Sequence, residues 1–151
     1  MHDPVVLLLG SERADHLRIE VTRRLHAHAV DYWDGNWVEV RVALRAGGFR
    51  AGLPASLRTT DFIGFRQQLE TLYRTLGGEA QFNTIEEWLA LRLIGDGVGH
   101  IAIRGEMRDE PGTGNTLAFQ LPSVDQTELG RVIASLQRIE ETFPTLGAPA
   151  T

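Results

Sequence analysis

Val38-Glu39-Val40-Arg41-Val42-Ala43-Leu44-Arg45-Ala46-Gly47-Gly48-Phe49-Arg50-Ala51-Gly52-Leu53-Pro54-Ala55-Ser56-Leu57 is the stretch on which the fold class turns. Val38, Val40, Val42 and Leu44 alternate with Glu39, Arg41 and Arg45, and after the glycines Phe49, Ala51, Leu53, Ala55 and Leu57 alternate again. A period of two puts successive side chains on opposite faces, so each run reads as a strand with one buried face. In an antiparallel hairpin the paired positions have a constant sum and must share a face. Turning about Ala46-Gly47 pairs Leu44 with Phe49, Val42 with Ala51, Val40 with Leu53 and Val38 with Ala55, core against core.

Working outward, the alternation extends back from Val30 to His16, with Leu17, Ile19, Val21, Leu25, Ala27 and Ala29 on one face and His26 and His28 on the other. A turn about Trp33-Asp34 would pair Ala29 with Val38, Ala27 with Val40 and Leu25 with Val42, completing a three-stranded meander. Forward of it, Thr59 or Thr60 can cap a helix with Asp61 in its first turn, and Phe62, Phe65, Leu69, Leu72 and Leu76 form its apolar stripe before Gly77-Gly78.

The second half repeats the plan. A short segment around Ala80–Phe82 leads to Trp88–Ile94, a turn at Gly95-Asp96-Gly97, and Val98–Met107, with Leu91 opposite Ile101 and Leu89 opposite Ile103. After a loop from Arg108 to Gly114, Leu117, Phe119 and Leu121 alternate once more. Asp125 and Glu128 have capping-box spacing ahead of a stripe of Leu129, Val132, Ile133, Leu136, Ile139 and Phe143. The two helical stripes match at a constant offset, as an internal duplication or any two amphipathic helices would. The expectation is an α+β fold: two antiparallel three-stranded meanders, each followed by one amphipathic helix, packed as a single domain over 1–151, with its core in 16–144 and a frayed tail at 145–151.

A chain of 151 residues with a net charge of −5 is large enough for one core and poorly suited to gripping many phosphates, so no nucleic-acid partner is expected. No cysteine is present, which removes disulfides and thiolate chemistry and favours a reducing compartment. The apolar run Val5–Leu9 follows Asp3 and Pro4 and is far short of the about 20 residues of a membrane helix. No membrane partner is expected, and the location expected is the cytoplasm. The oligomeric state is left open.

Few side chains suggest chemistry. His26 and His28, two apart on a strand, would place both imidazoles on one side at about 7 Å, the start of a metal site if a third ligand such as His100 or Glu20 joined them. No ligand motif accompanies them, and two solvated histidines is the stronger reading, so neither a metal nor another cofactor is expected. Hydrolase, phosphate-loop and dinucleotide motifs are missing, and Gly112-Thr113-Gly114-Asn115 enters a strand rather than a helix. Acidic residues gather at Asp31, Asp34 and Glu39 and at Glu106, Asp109 and Glu110. They suit solvated loops or the steering of a basic partner better than catalysis. Asp31-Tyr32-Trp33-Asp34-Gly35-Asn36-Trp37 stands out, because it holds two of the three tryptophans and one of the two tyrosines in and beside a turn. Such residues anchor interfaces, and Asp31, Trp33, Asp34 and Trp37 are the candidate partner-binding set, with a core-capping aromatic turn as the alternative.

Tyr32-Trp33-Asp34-Gly35-Asn36-Trp37 with its alternating valines, then Leu57-Arg58-Thr59, Asn115-Thr116-Leu117-Ala118-Phe119 and Asp125-Gln126-Thr127-Glu128-Leu129, resembles the bacterial WapI immunity family over most of residues 16–144. The resemblance leaves the first strand and the tail outside. It implies a small cytoplasmic protein, not an enzyme, that protects its host by binding the C-terminal toxin domain of a large contact-dependent toxin, in the type family a tRNA-cleaving domain. It carries no functional residues over. The other readings are a metal-dependent enzyme or binder using His26 and His28, and a structural domain that associates with its own copies.

Overall fold

The computed structural model describes residues 3–149. In chain order it contains β1 (Val5–Gly10), β2 (His16–Arg24), β3 (Trp37–Ala46), β4 (Phe49–Arg58), α1 (Thr59–Thr75), β5 (Gly77–Asn83), β6 (Leu89–Asp96), β7 (Ile101–Glu110), β8 (Thr113–Val124) and α2 (Gln126–Thr142). These form two four-stranded antiparallel sheets, β1-β2-β3-β4 and β5-β6-β7-β8, so the class is α+β and each expected meander gains a strand. The run Val5–Leu9 is an edge strand whose Leu7 and Leu9 sit opposite Ile19 and Leu17 and share their buried face. The segment around Ala80–Phe82 is likewise a full strand, with Ala80 against Leu93 and Phe82 against Leu91.

Apart from Phe49 and the run Leu25–Ala29, where Leu25 and Ala27 are exposed, the buried faces are those the alternation indicates, but the registers differ from expectation. β3 and β4 turn about Gly47-Gly48, so Val42 meets Leu53, Val40 meets Ala55 and Val38 meets Leu57. A slip of two residues keeps every side chain on its face, which is why parity alone could not detect it. At the strand ends Leu57 becomes fully buried and Phe49, expected in the core, is 64% exposed. In the second sheet Leu93 meets Ile103 and Leu89 meets Met107. The cause is Asp96, whose carboxylate accepts from the amides of Val98 (2.8 Å) and His100 (3.1 Å) and moves the turn to residues 97–99.

β2 is the larger correction. It ends at Arg24, and Leu17, Ile19 and Val21, not Leu25, Ala27 and Ala29, pair with β3. A bulge between Val21 and Arg23 shifts the register, so Arg24 falls opposite the buried Val38 and points inward. A charged side chain on the core face stops the strand, and Leu25–Asn36 becomes a loop. His26 and His28 therefore lie exposed on this loop, not on a strand.

α1 starts one residue earlier than expected. Arg58 is its N-cap, with its amide donated to Asp61 at 3.0 Å, and Thr59 is already helical. Leu76 lies beyond the helix in the left-handed region at φ 60°. α2 has the expected reciprocal cap: the Glu128 amide donates to Asp125 (2.8 Å) and the Asp125 amide to Glu128 (3.3 Å). Each helix serves the other half's first strand: α1 packs on β5, α2 packs on β1, and the helices touch each other. Phe62 and Phe65 stack on Phe82 with ring centroids 5.5 and 5.0 Å apart. Arg66 bridges Glu70 and Glu140, both at 2.9 Å. Both sheets and both helices contribute to one contiguous buried cluster.

Candidate functional site

Asp31–Asn36 folds as a single tight turn. The Gly35 amide donates to the Asp31 carbonyl at 3.0 Å and the Asp34 amide to the Asp31 carboxylate at 3.0 Å. That second bond holds the Asp31 carboxyl below the usual carboxylate range, so it stays charged. A Cβ on Gly35 would fall 2.5 Å from the Asp31 carbonyl oxygen, so the turn needs glycine there. Tyr32 and Trp33 meet edge to face at 5.0 Å.

Beneath the turn lies Arg58, only 4% exposed. Its guanidinium donates to the carbonyls of Trp33 (2.7 Å) and Tyr32 (2.8 Å) and stands 5.2–5.3 Å from the ring centroids of Tyr32, Trp33 and Trp37. A buried cation is costly unless it is solvated by protein groups, and here carbonyl oxygens and aromatic faces replace water. The Asp61 carboxyl nearby is pushed up by burial, an effect opposed by the Arg58 amide and charge.

The remaining supports come from far along the chain. Asn36 is fully buried, and its side-chain amide donates to Tyr32 (2.7 Å) and Leu146 (2.9 Å) carbonyls while its oxygen accepts from the Leu146 amide (2.8 Å). Its own carbonyl accepts from Thr59 at 2.9 Å, so its capacity is nearly used up. Arg24 donates to the Gly35 carbonyl at 2.8 Å and to the Pro144 carbonyl. Thr145 meets Thr59, hydroxyl to hydroxyl, at 3.3 Å. The tail expected to fray is thus bound to the turn through Leu146; residues 150 and 151 lie outside the described residues.

On the outer side Trp33 is 55% and Val30 79% exposed, with Leu25 beside them in the same loop and the carboxylates of Asp31 and Asp34 open to solvent. Trp37 is half-buried against Arg58 and belongs to the support. The turn therefore brings Asp31, Trp33 and Asp34 together on a rigid base. Residues 8–144 match the Immunity protein WapI-like family. The chain belongs to this family. The WapI-like match begins within β1, at Leu8, earlier than the resemblance in the motifs indicates. No curated protein matches the chain.

His26 and His28 are not joined by further ligands, and no group of three or more His, Cys, Asp or Glu side chains among the described residues could hold a metal. Of the second acidic group, Asp109 is a brace, accepting from the Asn115 amide (2.7 Å) and side chain (2.9 Å), and these bonds hold its carboxyl below the usual range. No helix of the described residues is long and apolar enough to cross a membrane. Sequence reasoning missed Arg58, Asn36 and Arg24 as supports. The signal for Arg58 was its register partner: with the hairpin turned about Gly47-Gly48, Arg58 falls directly opposite Trp37.

Proposed function

We propose that this WapI-like protein is a cytoplasmic immunity protein that binds and neutralises a cognate toxin domain without catalysis, using the Asp31–Trp33–Asp34 turn as part of its interface. The family match supports the immunity role. The observation that carries the site is a half-exposed tryptophan on a turn whose base is pinned by a buried arginine. A preorganised aromatic anchor loses little entropy on binding, and the two carboxylates beside it favour encounter with a basic surface.

The test is co-expression with a toxin domain found by co-purification from the native host or by inspection of the neighbouring genes. That domain alone should arrest growth, the pair should not, and the two should co-purify in a stoichiometric complex. Protection without a complex, or with substoichiometric amounts of this protein, would point to an enzymatic antidote instead.

A further inference from the structure

On the outer face of the second sheet, the β5–β8 ladder places Gln81, Arg92, Arg104 and Gln120 in one cross-strand row. Arg92 and Arg104 stand directly opposite each other, an arrangement that costs stability because like charges face across the ladder. Glu79 pairs with Arg92, while Arg104, on the exposed face, forms no ion pair among the described residues. The adjacent row runs Asn83, Ala90, Glu106 and Ala118, and Glu106 is likewise exposed and in no ion pair among the described residues. The alanines flanking Glu106 leave a hollow of about 420 Å³ that Phe119 and Gly105 also line. Gly105 is required beneath it, since a Cβ there would come 2.4 Å from the Phe119 ring.

We propose that this face is a second docking surface for the toxin domain, taking a carboxylate side chain at Arg104 and Arg92 and an apolar side chain in the hollow. A donor or cation about 7 Å further along would meet Glu106. The inference rests on the toxin-binding reading and extends it from the acidic turn to a second surface. Arg92 is already held by Glu79 while Arg104 has no ion-pair partner among the described residues, so a carboxylate supplied from outside would complete the pairing at Arg104. The hollow is open and spans the sheet, which suits side chains projecting from a protein surface.

The experiment measures binding of the co-expressed toxin domain by unmodified protein, by Arg104→Glu and by Ala118→Tyr, which fills the hollow from an exposed position. Thermal melting serves as the folding check, and Arg104→Glu should melt no lower than the unmodified protein because the like-charge pair is gone. Each variant is expected to bind roughly tenfold or more weakly, with the loss for Arg104→Glu shrinking as salt is raised. Folded variants that bind within about twofold of the unmodified protein would overturn the docking surface and leave the immunity reading intact. Failure of the unmodified protein to bind at all would overturn both.

Discussion

Trp33 and the two carboxylates beside it act through different physics, and their variants should fail differently. Truncation of an aromatic hot spot costs at least ~2 kcal/mol and is felt in dissociation, whereas rim charges govern association and its salt dependence. Trp33→Ala should therefore speed dissociation of a toxin complex, and Asp31→Asn with Asp34→Asn should slow association chiefly at low salt, both read by surface-based kinetics. Asparagine at 31 keeps an acceptor for the Asp34 amide, so the turn should survive. Unchanged rates in folded variants would remove the turn from the interface. His26→Ala with His28→Ala should leave melting and protection unchanged, since exposed loop substitutions shift stability by no more than ~0.5 kcal/mol. Loss of bound metal together with loss of protection would reverse that conclusion. Asp61 and Asp109 carry opposite pH signatures. Burial raises the folded-state pKa of Asp61 above its unfolded value of about 3.9, so the folded chain holds that proton longer and stability falls as pH rises through this window. Asp61→Asn should therefore gain on the unmodified protein between about pH 4 and the raised value, then run parallel to it. For Asp109, bonded by Asn115, the folded value is lowered, and its contribution is present above about pH 4 and lost on acidification. Denaturant titrations across this range check both signs.

Within single elements, the loop Leu25–Asn36 is held by contacts of very long sequence separation, and that sets where it should loosen. Asn36→Ala leaves the Tyr32 carbonyl and both polar groups of Leu146 without their partner, at about 1–3 kcal/mol for each group left buried and unsatisfied. Hydrogen exchange at Gly35 and Leu146 should accelerate well beyond that at Val40; equal protection would mean that the tail does not hold the turn. Such supports were illegible beforehand because Asn36 and Leu146 are far apart in the chain and neither is unusual in its local pattern. What was legible is what periodicity encodes: the strand faces except at Leu25–Ala29 and Phe49, the helical stripes except Leu76, and the Asp125–Glu128 cap. Register was not, because shifting a hairpin by two residues preserves every face, and the deciding features were a carboxylate at Asp96 and a bulge at Thr22 that alternation cannot signal. The same slip hid the site's base, since the expected hairpin put Ser56 rather than Arg58 opposite Trp37.

For the molecule as a whole, the exchange of helices ties the halves together. α1 lies on β5 and α2 on β1, so neither sheet with its own following helix would keep its first strand covered. Unfolding followed by circular dichroism and by tryptophan fluorescence is expected to give coincident transitions, because Trp33 and Trp37 report on the first half and Trp88 on the second. Separate midpoints would show that the halves are energetically independent. The same exchange gives the chain a cyclic character. Val5 opens β1 opposite Val21, and Arg24, just beyond on β2, grips the Pro144 carbonyl at the end of α2. The passage from α2 back to β1 is thus the spatial counterpart of the covalent passage from α1 to β5. Joining residue 149 to residue 3 through a flexible linker and opening the chain at Gly78 should therefore yield a circular permutant that still folds to the same two sheets.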